Sequence, residues 1–251
     1  MILAWLGAAF VGLSLGLLGS GGSILTVPIL LYLADQHGKV AIAESLAIVG
    51  TIALAGGIPP AFKRLTRWSY VLLFGLPGMA GSYVGAVLAR FIPVAVQLVL
   101  FAAIMLTAGI LMLRPRQASS EGDKAWWMVG GYGLGVGIIT GLVGVGGGFL
   151  IVPALTFLGG LPIHHAIATS LWIIALNAGM GFFKYLNVLH HLGLQLHGNI
   201  ILVFSLIGIA GSFAGHTIGA RIPQVVLRRY FAYFLFVMGA FILLENLPQV
   251  F

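Results

Sequence analysis

Two stretches of this chain are near copies of one another. Residues 16–30 read GLLGSGGSILTVPIL and residues 141–155 read GLVGVGGGFLIVPAL. At an offset of 125, nine of the fifteen positions are identical: Gly16/Gly141, Leu17/Leu142, Gly19/Gly144, Gly21/Gly146, Gly22/Gly147, Leu25/Leu150, Val27/Val152, Pro28/Pro153 and Leu30/Leu155. Each copy interrupts an apolar run with clustered glycine and then proline. Broken hydrophobic segments at matching places in two halves of a chain point to a binding site at the repeat interface.

The interruption matters because the rest of the chain is so apolar. Sixty per cent of the 251 residues are hydrophobic and 7% are charged, against about 25% charged in a soluble domain. Apolar runs long enough to cross a bilayer recur from end to end, which makes this an integral membrane protein with no room for a soluble domain. The 37 glycines suit helices that pack closely through small residues. The absence of cysteine excludes disulfides, thiolate metal sites and cysteine chemistry. A net charge of +7 here reports orientation in the membrane before any affinity for nucleic acid. Residues 1–20 lack a basic leader region and run into the repeat, so they are read as structural.

The hydrophobic segments fall at 2–34, 41–61, 70–92, 94–113, 125–160, 165–187, 198–220 and 223–245. The polar stretch RPRQASSEGDK divides them four and four. The organisation expected is a first transmembrane repeat over 1–113, a cytoplasmic linker over 114–124 and a second repeat over 125–251. The repeat continues past the glycines. AESL (43–46) matches ATSL (168–171) at the same offset. About five extra residues near 190–198 shift the offset to 130, at which GSYVG (81–85) matches GSFAG (211–215), and Pro93 matches Pro223.

Segments one and five are too long for simple spans. Thirty-four residues make a helix of roughly 50 Å, against a hydrocarbon core of about 30 Å. Each is either steeply tilted or broken at its glycines, crossing or turning back as a re-entrant hairpin. Basic residues arbitrate. If all eight segments cross, seven of twelve Lys and Arg lie inside. If segments one and five turn back, nine lie inside, and Lys39, Arg90 and Lys184 lie outside. The positive-inside rule favours the second reading. It places both termini in the periplasm and makes the halves an inverted repeat, with the two glycine breaks approaching each other near the midplane.

A helix broken inside a membrane exposes unpaired N–H groups at the start of its second half, a positive end that attracts anions. Glycine lets a ligand approach that backbone. The candidate substrate-binding residues are therefore Gly19, Gly21, Gly22 and Ser23 in one copy and Gly144, Gly146, Gly147 and Gly148 in the other. Ser45, Thr169 and Ser170 of the AESL and ATSL blocks add hydroxyl donors, and Asn177 adds an amide two turns on. The alternative reading of the glycines is close helix packing. Only five Asp and Glu occur in the chain, so an anion is favoured over a cation. Glu44, which stands where the other copy has Thr169, is a candidate for proton coupling; its alternative is a carboxylate kept comfortable near a helix start. His216, beside GSFAG, is the other coupling candidate. His164 and His165 are read as a loop. HH-x5-H (His190, His191, His197) has no spacing that identifies a metal site, and no metal or cofactor is assigned.

The doubled GxGG followed by VPxL, with A-x-SL about fifteen residues on, resembles the TauE/SafE family of sulfite exporters, also grouped with the 4-toluene sulfonate uptake permeases. The resemblance covers essentially the whole chain. It implies a bacterial-type inner-membrane carrier for small sulfur-containing anions such as sulfite, sulfoacetate or related sulfonates. The family motif falls on Gly19, Gly21, Gly22, Pro28 and Ser45, and on Gly144, Gly146, Gly147, Gly148, Pro153 and Ser170. Ser23 and Glu44 depart from the pattern of the second copy.

The expected fold is an all-α integral membrane protein of two four-segment repeats, inverted, each opening with a Gly-broken helix or re-entrant hairpin. The expected function is a secondary transporter working by alternating access, not an enzyme. Its expected partners are a small anionic substrate, a coupling proton or sodium ion, the lipid bilayer and a second copy of the chain; nucleic acid is not among them. A carrier for another anion, an anion channel, and a hydrolase built on Ser212 and His216 are the competing readings.

Overall fold

A computed structural model describes residues 2–19, 22–113, 126–143, 148–155, 159–219 and 223–246. The linker 114–124 and the candidate residues Gly21, Gly144, Gly146 and Gly147 lie outside the described residues. The described residues are helical with no strand. The elements are α1 (Ile2–Leu18), α2 (Gly22–Pro28), a π-helical turn (Ile29–Leu33), α3 (Gly38–Phe62), α4 (Trp68–Ala89), α5 (Val94–Leu113), α6 (Trp126–Val143), α7 (Gly148–Pro153), α8 (Ile163–Leu192), α9 (Gly198–Gly219) and α10 (Gln224–Asn246). Five helices, α3, α4, α5, α8 and α9, are long and apolar enough to cross a membrane.

Both long segments fold back: α1 stops before Gly19, and in the second half α6 ends at Val143 and α7 starts at Gly148. Gly19 takes φ +68°, a left-handed conformation that glycine adopts without strain, and α1 stops there. A Cβ placed on Gly22 would collide with the Val11 carbonyl, and one on Gly7 would meet Ile29. Residues 22–29 therefore run antiparallel along α1. After Pro28 the missing N–H loosens the ladder into wider turns. Ala34 N donates to Ile29 O at 3.1 Å and Gln36 N to Leu30 O at 3.0 Å. The second half repeats this 125 residues on, with Gly159 N to Ala154 O and Leu161 N to Leu155 O, each at 3.0 Å. Asp35 (φ 53°) and Gly160 (φ +70°) then turn the chain at equivalent positions. Tyr70 OH, at the start of α4, donates to Gly159 O at 2.8 Å, tying the return of the second hairpin to the end where α6 began.

Glycine seams set the helix directions. On α4 and α6, added Cβ atoms would strike backbone at Gly133/Phe74, Gly137/Gly78 and Gly141/Ser82, so the two helices run parallel with their backbones in contact. Gly12 against Gly208 and Gly16 against Ser212 give the same parallel seam for α1 and α9. Ile52 on Gly208 and Ser212 on Gly56 make α3 parallel to α9. Gly50 meets Ala178 and Gly57 meets Trp172, so α3 and α8 are antiparallel. Gly109 against Ala232 and Gly239 against Met105 make α5 and α10 antiparallel as well. First and third segments of opposite halves pair with each other, and the second and fourth segments each pair with their own counterpart. These pairings and directions support the inverted reading of the repeat. Lys63, Arg64 and Arg67 mark one end of the molecule, and Arg228 and Arg229 open α10 at that same end; Lys39, Arg90 and Lys184 lie toward the other.

The extra five residues of the second half lengthen a helix: α8 has 30 residues where α3 has 25. A left-handed residue follows each helix, Arg64 (φ 56°) two residues after α3 and Gly193 (φ +66°) directly after α8. His164 and His165 belong to the first turn of α8, not to a loop, because the helix starts directly after Pro162.

Gly19 and the end of α6 do not meet near the midplane. Gly19 packs on Ile167 and accepts from Ser170, both in the first turns of α8. Leu142, in the last turn of α6, is bonded instead by Tyr185, fifteen residues farther along α8 and so about 22 Å away. The cause is helix length. The 17 residues of α1 already extend about 25 Å before the break.

Candidate functional site

The break of the first half is completed by the second half. Ser170 Oγ donates to Gly19 O at 3.1 Å and to Ile167 O at 2.8 Å. Gly19 is crowded as well as left-handed, since any side chain there would run into Ile167. Gly22, Ser23 and Thr26 are buried in α2, with Thr26 Oγ1 donating to Gly22 O at 3.2 Å. Gly148 opens α7. Ser45 is buried toward the opposite end and donates to Ile42 O at 2.9 Å. The structure thus joins Ser170 to Gly19 of the other half.

Glu44 and Thr169 hold equivalent positions and do equivalent work. Thr169 Oγ1 accepts from Arg67 N at 3.0 Å, just before α4. Glu44 Oε1 accepts from His197 N at 2.8 Å, just before α9. Arg67 and His197 are themselves equivalent at the offset of 130. Each side chain therefore satisfies a backbone donor at the start of a helix. Glu44 has in addition His197 Nδ1 at 3.3 Å, and its Oε2 is buried with no hydrogen-bond partner. His165 Nδ1 donates to Leu65 O at 2.7 Å, a further tie on the loop that Thr169 holds. Replacing Thr169 by valine keeps the shape and removes the acceptor. Thermal unfolding in detergent is expected to show a loss of about 1 kcal/mol, and an unchanged midpoint would contradict the capping role.

Asn177 is fully buried midway along α8, and both atoms of its amide lack a hydrogen-bond partner. It packs on Gly78, while its backbone carbonyl accepts from Ser82 Oγ at 2.8 Å. Its counterpart Ile52 packs on Gly208 in the same way, so the halves differ by an amide against an apolar side chain at one place in the fold.

A cavity of about 260 Å³ lies next to the first break. Gly16 and Leu17 of α1, Gly56 and Pro60 of α3, His164 and Leu171 of α8, and His216 of α9 are among its walls. Ile167, which packs on Gly19, lines it as well. It sits at the end that carries Lys63, Arg64 and Arg67.

At the equivalent place at the other end, the described residues are mostly buried. At the offset of 125, Leu17, Pro60 and His164 correspond to Leu142, Tyr185 and Lys39; at the offset of 130, His216 corresponds to Ala86. Tyr185 is completely buried. Its hydroxyl donates to Leu142 O at 3.1 Å, and Gln97 Nε2 donates to the same carbonyl at 2.6 Å. Lys39 Nζ donates to Ala89 O at 2.5 Å, to Ile92 O at 2.8 Å and to Gln97 Oε1. Lys39, Gln97 and Tyr185 were not among the sequence candidates. The signal for them was available in the comparison of halves, where proline faces tyrosine and histidine faces lysine.

The hydrolase reading gains nothing from this geometry. Ser212 packs on Gly56, and no hydrogen bond joins it to His216 among the described residues.

Comparison with known proteins places this architecture. A family model, sulfite exporter TauE/SafE, matches residues 4–242. The chain belongs to the TauE/SafE family. Among relatives, a probable membrane transporter protein of Xylella fastidiosa (strain Temecula1) is 31% identical over 242 residues, covering 93% of this chain and 91% of the relative. One from Xylella fastidiosa strain 9a5c is 33% identical, covering 84% and 82%. One from Methanocaldococcus jannaschii is 28% identical, covering 93% of each. No solved structure matches the chain. As a TauE/SafE protein of several apolar helices, the chain is a multi-pass membrane protein of a transporter family.

Proposed function

We propose that this TauE/SafE protein is a secondary transporter that moves a small sulfur-containing anion, sulfite or a related organosulfonate, across the inner membrane by alternating access. The observation that carries the reading is the contrast between two equivalent places. The end marked by Lys63, Arg64 and Arg67 has a cavity reaching the residue that packs on Gly19, whereas among the described residues of the opposite end the counterparts Lys39, Tyr185 and Ala86 are buried. A carrier at rest with its path open on one side has this asymmetry, whereas a passive channel needs a continuous path. By the positive-inside rule the open end is cytoplasmic, as is the linker 114–124, and both termini are periplasmic. The anion site is assigned to the breaks: residues 19–23 with Ser170, and residues 144–148 with Ser45, between the repeats 1–113 and 125–251. Thr169 supports it through the loop at Arg67, and Asn177 offers an unpaired amide between the two ends. Compact oxyanions suit donors of this kind, backbone N–H and hydroxyl groups.

A proton is the coupling ion of choice. Glu44 has one oxygen engaged by His197 and the other free, and His216 faces the cavity. Glu44→Gln keeps an acceptor for His197 N and removes the titrating group. It is expected to fold, to exchange sulfite for sulfite at near the native rate, and to lose accumulation driven by an imposed proton gradient. Native accumulation in Glu44→Gln would remove Glu44 from the coupling role and leave His216. Solubilised protein is expected to behave as a homodimer in light scattering. The transport assay itself is sulfite uptake by proteoliposomes with competing sulfonates and carboxylates. Inhibition by carboxylates but by no sulfur oxyanion would shift the substrate to another anion class.

A further inference from the structure

We propose that Lys39, Gln97 and Tyr185 form the outer gate of the path, and that Lys39 is the cation that meets the anion when this gate opens. The inference rests on the transporter reading above. Its starting point is the equivalence of the two ends. Leu17, Pro60, His164 and His216 surround open space, whereas of their counterparts Tyr185, Lys39 and Ala86 are buried and Leu142 is half-buried under the bonds to its carbonyl. Gln97 is the centre of the closure. Its amide nitrogen donates to Leu142 O at 2.6 Å and to the Tyr185 hydroxyl at 3.1 Å, and its amide oxygen accepts from Lys39. One side chain from the first turn of α5 thus ties α3 and α8 to the last turn of α6, directly before the second glycine break. Displacing the α6–α7 hairpin requires both bonds to Leu142 O to part.

The charge on Lys39 argues for more than a plug. The side chain is 6% exposed, and all three of its acceptors are neutral. No carboxylate lies within ion-pair distance of it among the described residues. Capping the end of α4 explains the bonds to Ala89 O and Ile92 O. Capping does not require Gln97 to be spent on the third proton, nor a full charge to be buried without a counter-ion, which is costly in a membrane protein and marks functional residues. Once Gln97 swings away with the opening path, the ammonium has an unfilled donor facing the space that corresponds to the open cavity. A compact oxyanion supplies both the missing acceptor and the missing negative charge.

The chain has no cysteine, so single-cysteine labelling reads the gate directly. Ala86→Cys lies behind it, at the counterpart of His216. With the gate intact, an impermeant methanethiosulfonate applied to the outer face is expected to label the introduced thiol slowly. In Ala86→Cys combined with Gln97→Ala, or with the milder Tyr185→Phe, labelling is expected to rise about tenfold. No rise in either combination overturns the gate. Lys39 is tested with sulfite as the probe. Lys39→Gln is expected to raise KM for sulfite offered from the outer face about tenfold and to leave KM from the inner face unchanged. Equal KM changes on both faces, or none, overturn the anion role and leave Lys39 as a cap. The two readings fail separately. Faster labelling without sulfite transport by the intact protein keeps the gate and removes the substrate; sulfite transport without faster labelling removes the gate alone.

Discussion

Gly137→Ala is expected to destabilise the protein strongly, and Gly135→Ala, two residues away on the same helix, is not. A Cβ on Gly137 would strike the backbone of Gly78, whereas nothing lies within 4 Å of one on Gly135. The obstacle at Gly137 is main chain, which cannot swing aside, so α4 and α6 must separate. Overpacking of this kind costs about 1–3 kcal/mol, or more where several contacts share one seam. For a chain of this length each kcal/mol is worth about 2–4 °C in the unfolding midpoint. Alanine at 135 recovers up to about 1 kcal/mol of helix propensity. Gly12→Ala on α1, which meets Gly208 backbone on α9, is expected to match Gly137→Ala because the two seams are equivalent. Fluorescence-detected size-exclusion melting of the solubilised variants decides. Equal midpoints for Gly135→Ala and Gly137→Ala would show that the seam is looser than described.

Pro60→Tyr is expected to fold and to stop transport. Pro60 lines the open cavity, and its counterpart Tyr185 is the side chain that fills the equivalent place. Tyrosine at 60 would bring its ring into the space beside Leu17, as Tyr185 does beside Leu142. The substitution also restores a backbone N–H to the last turn of α3, so the helix is not weakened. Blocking the open side of an alternating carrier removes the step that exchanges substrate with the cytoplasm. Sulfite flux is expected to fall at least about a hundredfold, equivalent to roughly 2.7 kcal/mol on the transport barrier. The unfolding midpoint is expected to stay within a few degrees of native. Native flux in Pro60→Tyr would mean that substrate does not use this cavity.

Much of the fold was legible because duplication is written in identities. The offset of 125 located both breaks, and the charge count at Arg221, Arg228 and Arg229 favoured the hairpins that α2 and the turn after Pro153 make. Contacts between the halves were not legible. Matching Ser45 to Ser170 identifies equivalent residues, but equivalence does not say which glycines a serine reaches, and Ser170 reaches Gly19 across 151 positions. Glu44 looked like an isolated intramembrane acid because its partner, the N–H of His197, is 153 residues away. Set beside Thr169 and Arg67, it does a job that a hydroxyl also does. The midplane expectation failed on length alone, since α1 runs nearly the depth of the hydrocarbon core before it breaks. Lys39 was counted as an outer charge, and only the packing of α4 and α5 over it shows that it is buried.

The central claim is that this TauE/SafE protein carries a small sulfur-containing anion through the cavity beside Gly19. The most direct measurement is uptake of radiolabelled sulfite by proteoliposomes holding the purified native chain, with the Pro60→Tyr variant alongside. Saturable uptake that is competed by organosulfonates, and lost in Pro60→Tyr, is the predicted result. Uptake no greater than that of empty liposomes, or competition by carboxylates alone, would contradict it.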